Sequence, residues 1–333
     1  MIINFDPNKN VDFNDYLLSF LLDNSIIKNI NGYIIKRKIV KNWYQIPLFK
    51  LNIKREINLE LRSGFVKNFQ TYNEYLDFWR TKLAEKEFFK NVAKMKINIK
   101  SQTIEILWHG KWVKIFYNSI KQFENAIFLI KEQFIEEQYK CLNIKNKIVI
   151  DIGANVGDTA IYFALMGAKH VYSFEPYPYS YRLGVKNIKL NNLDNKITFF
   201  NIGLGKNSKK INIYKNYENT FATELKNFKN GIPIKIKSLE EILKYIKNKD
   251  AIMKIDCEGS EYNLILNTNK KSLRKFQEII IEYHYGYKNL VKKIKNAGFR
   301  IKIKRPIFSI NSEMEIKNIK RGIIYCKRIE INK

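Results

Sequence analysis

A glycine-rich loop and a carboxylate at a fixed distance from it are the residues of this chain whose types and spacing best predict ligand chemistry. An apolar strand ends near Asp151, and the loop after it contains Gly153, Asn155 and Gly157. A second apolar stretch ends in Glu175, 24 residues after Asp151. Glycine has no Cβ, so the loop can come close to a ligand, and the next helix directs its N-terminal N–H groups at that ligand. With a carboxylate that can accept both hydroxyls of a ribose, this pattern predicts a nucleoside-binding half-fold.

The spacing of the loop argues against two common nucleotide sites. Its letters, G-A-N-V-G, lack the G-x-G-x-x-G spacing that admits a dinucleotide pyrophosphate, and no Lys-Ser/Thr pair of a phosphate-binding loop is present. An acidic residue two positions before the first glycine suits a ligand with positive charge and no phosphate. S-adenosylmethionine, which has a sulfonium, an amino group, a ribose and an adenine, fits this description.

A second group of polar residues is predicted at the same edge of the sheet. The segment KIDCEGSE places Asp256 and Glu258 at the C-terminal end of a strand, where open α/β sheets bind ligands. His284 follows the apolar strand EIIIEY and is positioned as a general base, and Glu282 should face the same side and could orient its imidazole. The alternative for Glu258 is a cap on a helix that begins near Ser260. The four residues could also hold a metal, but their spacing does not separate metal binding from acid–base work, and no metal is predicted.

Two blocks of the sequence together resemble a known family. The run IDIGANVGDTAIYFALMGAKHVYSFEPYPYSYRLGVKNIKLNNL, followed by KIDCEGSEYNLIL, is similar to the FkbM family of S-adenosylmethionine-dependent methyltransferases, over about residues 140–290. The resemblance implies that Asp151, Gly153, Asn155 and Gly157 surround the methionine end of the cofactor. It implies that Glu175 binds the ribose and that Asn201 borders the adenine. Most class I methyltransferases have glycine where Asn155 stands, but asparagine also tolerates a left-handed backbone.

The alternation of strands and helices predicts the fold. We expect a class I methyltransferase: a doubly wound, mostly parallel seven-stranded α/β sheet with an antiparallel C-terminal hairpin, preceded by an α/β extension. The predicted divisions are a mainly helical extension (1–95), a β-hairpin and helix (96–144) and the methyltransferase domain (145–333). Individual expectations include helices within 11–30, 71–95, 120–140 and 261–276, and a hairpin turn at His109-Gly110.

Composition limits the partners and the compartment. The chain has 333 residues, 45% of them hydrophobic, and a formal charge of +28 that favours acidic substrates or partners. The basic residues are spread throughout, as a compositional bias would produce, so a dedicated nucleic-acid surface is possible but not favoured. Three well-separated cysteines indicate a reducing compartment. With no transmembrane segment and no signal peptide recognised, a cytoplasmic location is expected.

The sequence leaves the methyl acceptor open. The favoured reaction is methylation of a hydroxyl oxygen on a sugar, a glycan or a small metabolite. One alternative is an RNA (ribose) methyltransferase, suggested by the charge and by the K-x-D of Lys254 and Asp256. Another is a non-catalytic binding module that keeps only the fold. The oligomeric state is not predicted, and the acceptor pocket is expected to use the N-terminal segment and the loop at 216–225.

Overall fold

The computed structural model describes residues 44–50, 53–60, 66–71, 95–213, 229, 231–245, 250–307 and 321–330. The helices expected within 11–30 and 71–95 and the loop at 216–225 lie outside the described residues, apart from the two end residues of the second helix. The described residues divide into two compact units, within residues 21–128 and 129–333. The predicted domain boundaries stay predictions. None of the described helices is long and apolar enough to cross a membrane.

The described helices and strands are as follows. The helices are α1 Gln45–Lys50, α2 Ile120–Ile130, a π-helix Lys131–Ile135, α3 Asp158–Leu165, α4 Pro178–Leu190, α5 Leu239–Tyr245, α6 Glu261–Asn267, α7 Lys270–Leu273 and α8 Lys288–Asn296. The strands are β1 Ile57–Glu60, β2 Val66–Phe69, β3 Met95–Asn98, β4 Thr103–Trp108, β5 Lys111–Phe116, β6 Ile148–Ile152, β7 His170–Phe174, β8 Ile197–Phe200, β9 Gly203–Gly205, β10 Lys209–Ile213, β11 Ile232–Ser238, β12 Ala251–Ile255, β13 Phe276–Tyr283, β14 Phe299–Ile307 and β15 Arg321–Arg328.

The first unit contains an antiparallel pair, β1-β2, and a three-stranded antiparallel sheet, β3-β4-β5. The turn predicted at His109-Gly110 is confirmed, because Trp108 pairs with Lys111 and both turn residues have positive φ. Two residues with positive φ are the requirement of a two-residue hairpin turn of type I′.

The second unit is built on a seven-stranded sheet in the order β8-β7-β6-β12-β13-β15-β14. The first five strands are parallel, and β15 runs antiparallel between β13 and β14. In chain order this is 3-2-1-4-5-7-6, so the predicted class I methyltransferase fold, with its antiparallel C-terminal hairpin, is confirmed. The chain leaves β6 towards β7 and later returns on the other side at β12. At such a reversal of strand order a crevice is expected between β6 and β12 at their carboxyl ends, where open α/β sheets bind ligands.

The two central strands are buried along their whole length. Every residue of β6 and β12 is buried, as expected for parallel strands covered on both faces. Two of these buried residues are charged: Lys254 of β12 pairs in register with Asp151 of β6. The Lys254 Nζ lies 3.3 Å from Asp151 Oδ1 and donates to the carbonyl oxygen of Gly153 at 2.8 Å. Asp151 Oδ2 also accepts hydrogen bonds from Thr159 at 2.7 Å and from Ser173 at 3.4 Å.

The helix predicted over 120–140 is too long. The α-helix ends at Ile130 and continues as a π-helix to Ile135, with the Glu136 N–H bonded to the carbonyl of Lys131 at 2.9 Å. Glu137 then adopts a positive φ of 47°, which ends the helical path. The periodic spacing of apolar residues continues towards β6, so it does not reveal the change from α-helical to π-helical backbone hydrogen bonding.

The helix predicted over 261–276 is interrupted. Thr268 is extended, with ψ of 134°, and its hydroxyl donates to the carbonyl of Leu264 at 2.8 Å. Asn269 then caps α7 by accepting from the Ser272 N–H at 2.8 Å. These side-chain hydrogen bonds compete with helical backbone bonding. Strand β13 begins at Phe276, the residue at which the helix was expected to end.

The buried ion pair gives a stability prediction. We expect Lys254→Met to lower the free energy of unfolding by about 3–5 kcal/mol, because it leaves the Asp151 carboxylate buried without its charge partner. Urea denaturation measures this loss. The matched control is Lys237→Met, which removes a partly exposed ion pair with Glu241 and should cost less than about 1 kcal/mol. Adding Asp151→Asn to the first variant should restore part of the loss, and equal stabilities for the two lysine variants would contradict the prediction.

A second prediction concerns the contact between the loop and β12. Gly153 and Gly110 have nearly the same φ, +76° and +77°, so alanine strains the backbone equally at both. A Cβ at Gly153 would overlap the carbonyl oxygen of Asp256, whereas a Cβ at Gly110 meets nothing within 4 Å. We therefore expect Gly153→Ala to destabilise the protein by about 1–3 kcal/mol more than Gly110→Ala in urea denaturation. Equal losses would show that the loop tolerates a side chain beside β12.

Candidate functional site

The loop after β6 has the strained backbone that its sequence predicts. Gly153, Asn155 and Gly157 all have left-handed φ values, of +76°, +45° and +81°. The N–H groups of Gly153 and Ala154 both donate to the carbonyl of Phe174, at 3.0 and 3.1 Å, so the loop is bonded to the end of β7. Gly157 then serves as the N-cap residue of α3. The asparagine in place of a third glycine is compatible with this turn.

Glu175 is held where the loop can present it to a ligand. The residue is 8% exposed, and its two carboxylate oxygens accept the backbone N–H groups of Asn155 at 2.9 Å and Tyr177 at 2.8 Å. Each carboxylate oxygen has two lone pairs, so each keeps one for a further donor. Burial raises the pKa of Glu175 to about 7, although the two backbone hydrogen bonds act in the opposite direction. Two free lone pairs on adjacent oxygens match the two hydroxyls of a ribose.

The remaining residues predicted for the nucleoside site support the loop. Asp151 is fully buried beneath it, in contact with Lys254, Thr159 and Ser173. Asn201 donates its side-chain amide to the carbonyls of Glu175 and Pro176, at 2.9 and 3.0 Å, which fixes the chain after β7. Both residues therefore position the groups that face the crevice.

The loop fits a nucleoside that carries a cationic group. The Asn155 Oδ1 is buried and has no hydrogen-bond partner among the described residues, so it is an acceptor available to an ammonium group. The close approach of Gly153 to the end of β12 leaves no room for a Cβ. With the two lone pairs of Glu175, these features match the amino group and the ribose of S-adenosylmethionine.

The second group of polar residues predicted at this edge of the sheet comes together in the structure: Asp256, Glu258, Glu282 and His284. The Asp256 N–H donates to the carbonyl of Ile152 at 3.0 Å, so the ends of β12 and β6 are joined. His284 Nε2 lies 3.8 Å from Asp256 Oδ1 and 3.4 Å from Glu258 Oε2. A ligand atom of Glu282 lies within 4.8 Å of ligand atoms of Asp256 and His284. The prediction that Glu282 and His284 face the same side is therefore confirmed.

The residue that orients the imidazole is Glu261, and the prediction that Glu282 does so is wrong. Glu261 is fully buried, and its Oε1 accepts from both the backbone N–H and Nδ1 of His284, each at 3.0 Å. Glu282 instead contacts Arg321 Nε at 3.1 Å and the amide of Gln138 at 3.3 Å. The two-residue period of β13 ends at Tyr283, so it cannot specify the partner of the next residue. Glu261 is the last letter of KIDCEGSE, but its contact with His284 spans 23 positions.

The cap interpretation of Glu258 is also wrong. Ser260 is the N-cap residue of α6, and its N-terminus has no side-chain capping hydrogen bond. The nearby N–H of Gly259 donates to Glu261 Oε2 at 2.8 Å. Glu258 has a positive φ of 50° and directs Oε2 towards His284. This strained backbone places its carboxylate at the site.

The site is acidic enough to keep its imidazole protonated. Burial lowers the pKa of His284, but the hydrogen bond and charge of Glu261, with the charges of Asp256 and Glu258, raise it to about 9. Burial and the charge of Asp256 raise the pKa of Glu282 to about 7, against the opposing effect of Arg321. At neutral pH and without a ligand, His284 is therefore a hydrogen-bond donor at both ring nitrogens.

The π-helix contributes an acidic residue that the sequence did not identify as functional. Glu132 is half-buried, and its pKa is raised to about 8 by burial and by the charges of Glu282 and Asp256. The sequence around it is rich in glutamate, which by itself predicts only a solvated helix face. Single π-helical turns are frequent at functional sites, and this one brings Glu132 into electrostatic contact with the cluster.

Part of this chain is similar to known methyltransferases. Residues 151–301 match the family described as the methyltransferase FkbM domain. A stretch of 84 residues is 34% identical to a Methanocaldococcus jannaschii protein named, provisionally, a protein N5-glutamine methyltransferase. That alignment covers 25% of this chain and 38% of the relative, so the chain matches less than half of the length of that protein.

Two solved structures match this chain at low sequence identity. The methyltransferase FkbM of Methylobacillus flagellatus KT is 12% identical, with a TM-score of 0.39 over 62% of this chain and 55% of that chain. The M. jannaschii protein TYW2, solved in complex with AdoMet, is 14% identical, with a TM-score of 0.36 over 70% of this chain and 89% of that chain. The family predicted from the sequence is confirmed by this match: residues 151–301 of this chain match the methyltransferase FkbM domain.

Proposed function

We propose that this domain transfers the methyl group of S-adenosylmethionine to a hydroxyl oxygen of a sugar, a glycan or a small metabolite. The observation that carries the proposal is the position of two sets of groups at one edge of the sheet. The loop and Glu175 follow β6 and β7, and the carboxylate and imidazole groups follow β12 and β13. A donor in the first set and an acceptor in the second would meet at the crevice between β6 and β12.

The donor would be held by the loop residues. Glu175 would accept the two ribose hydroxyls with its free lone pairs, and Asn155 Oδ1 would accept from the amino group. Asp151, Gly153 and Gly157 would shape and support the loop around the methionine end, and Asn201 would fix the chain that borders the adenine. When bound, S-adenosylmethionine supplies an electrophilic methyl group on a positively charged sulfur.

The acceptor side needs a group that orients a hydroxyl and takes its proton. As the acceptor oxygen forms its bond to the methyl carbon, the carbon–sulfur bond breaks, its electron pair stays on sulfur and the hydroxyl proton passes to a base. We assign this proton to Asp256, because His284 already holds a proton at neutral pH in the free site. His284 and Glu258 would position the carboxylate and the acceptor, and Glu282 and Glu132 would line the approach.

The role of Glu175 predicts a pH-dependent affinity for the donor. A carboxyl group with a pKa of about 7 is neutral below that pH, and its neutral form loses lone pairs for the ribose hydroxyls. We expect the affinity for S-adenosylmethionine to increase about tenfold from pH 6 to pH 8, since the ionised fraction rises by that factor. Calorimetric titration at both pH values measures this change. Glu175→Gln should weaken binding and remove most of the pH dependence. Glu240→Gln, at a half-buried residue outside the proposed site that accepts from Asn269, should preserve both. An unchanged Kd in Glu175→Gln contradicts the assignment.

The acceptor side predicts a loss of turnover without a loss of donor binding. In a labelled-methyl assay against glycan, lipid, RNA and protein fractions, we expect incorporation into a hydroxyl-bearing glycan or metabolite. On that acceptor, Asp256→Asn should lower kcat by about 100-fold or more, because proton removal is lost, with the Kd for S-adenosylmethionine changed less than about threefold. Full activity in this variant would refute the role of Asp256. Salt-sensitive incorporation into RNA would instead support the alternative acceptor that the net charge of +28 suggests.

A further inference from the structure

We propose that Asp256, Glu282 and His284 form a binding site for a divalent transition-metal ion beside the methyl-donor loop. The first observation is the mixture of ligand types: two carboxylates and one imidazole each offer one atom, and these atoms lie within 4.8 Å of one another. Carboxylate oxygens and imidazole nitrogen together suit Mn²⁺ and Zn²⁺.

The second observation is the presentation of the imidazole. His284 is 6% exposed, and its Nε2 is buried without a hydrogen-bond partner among the described residues. Its Nδ1 is fixed by the fully buried Glu261 at 3.0 Å. Metal-binding histidines usually have this arrangement, in which a carboxylate holds one ring nitrogen and leaves the other directed at the ion. Here Nε2 is directed at Asp256 and Glu258, at 3.8 and 3.4 Å.

The distances between these atoms fit an ion after a small adjustment. With bonds of about 2.1 Å, two ligand atoms on one ion lie about 3.0–4.2 Å apart. The 3.8 Å from Nε2 to Asp256 Oδ1 is in this range, and the 4.8 Å limit of the whole set exceeds it by a few tenths of an ångström. Glu282 must exchange one of its contacts, with Arg321 or with Gln138, for the ion. Arg321 is half exposed, so it can move into solvent.

The charge around the site favours a cation. Four carboxylates act on the cluster, those of Asp256, Glu258, Glu261 and Glu282, and Glu132, with its pKa of about 8, adds a fifth only when it ionises. The positive charges that act on them are the imidazolium of His284, the guanidinium of Arg321 and the ammonium group of Lys254. This acidic group stands in a chain whose net charge is +28, so it does not follow from overall composition. A divalent ion bound at Nε2 offsets more of this negative charge than the proton it replaces.

The ion would define the class of acceptor, and this part of the inference rests on the proposed function. Three protein ligands leave open positions for acceptor oxygens, and a compound with two neighbouring oxygens, such as a vicinal diol of a sugar, can occupy two of them. The ion would lower the pKa of the bound hydroxyl, and the second carboxylate oxygen of Asp256 would stay free for its proton.

Metal binding can be tested without any methyl acceptor. The full-length protein is stripped with a chelator and titrated with Mn²⁺ and with Zn²⁺ in calorimetry, and bound Mn²⁺ is counted by electron paramagnetic resonance. We expect one ion per chain. Asp256→Asn and Glu282→Gln should each weaken the Kd at least tenfold, and Glu261→Gln should weaken it by about 10–100-fold through the freed imidazole.

The matched control is Asp194→Asn, which makes the same chemical change at an exposed residue and should bind the ion as the native chain does. Circular dichroism shows whether each variant is folded. If Asp256→Asn does not fold, the binding measured with Glu282→Gln tests the proposal. No saturable binding, or equal Kd values in the site variants and the control, overturns the proposal. Donor binding without metal binding refutes the metal site alone, whereas metal binding without methyl transfer to any fraction supports the site and refutes the proposed function.

Discussion

The site depends on the way in which β6 and β12 are joined at their carboxyl ends. Lys254 of β12 pairs with Asp151 of β6, and its ammonium group also holds the carbonyl of Gly153 at the start of the loop. A charged pair that is almost completely removed from water is stable only if its remaining hydrogen bonds are satisfied. Thr159 and Ser173 both donate to Asp151 Oδ2, and the Lys254 ammonium group lies beside Oδ1, so α3 and β7 are tied to the same point. The loop that would hold the donor and the strand that ends in Asp256 therefore share one buried anchor.

This anchor also changes the interpretation of the K-x-D motif. Lys254 is 1% exposed, and its pKa is held well above its usual range, because the charges of Asp151, Asp256 and Asp158 outweigh the cost of burial. A lysine that is fully engaged beneath the loop is a structural residue. The motif therefore gives no support for an RNA acceptor. The net charge is the remaining feature of the sequence that favours one.

Sequence reasoning recovered those parts of the molecule that depend on local spacing. The turn at Gly153 and Gly157, the carboxylate at the end of β7 and the parallel strands all follow from apolar periods and from residues that permit special backbone angles. The parts that it missed depend on contacts between distant residues. Glu261 reaches His284 across 23 positions, and Glu132 joins the acidic cluster through a π-helical turn that has the same apolar pattern as an α-helix. A single sequence gives the edge of the sheet at which polar residues gather, but it does not give their partners.

The two backbone hydrogen bonds to Glu175 have a consequence for selectivity. Because each carboxylate oxygen already accepts one N–H group, each can accept from one further donor. Glu175 is too buried for a water molecule to take the place of a missing donor freely. On the proposed mode of binding, a 2′-deoxynucleoside would leave one buried oxygen unpaired, at a cost of about 1–3 kcal/mol. A 2′-phosphate would bring a second negative charge against the carboxylate. The same pair of N–H groups that fixes Glu175 would thus make the site discriminate between an intact ribose and a modified one.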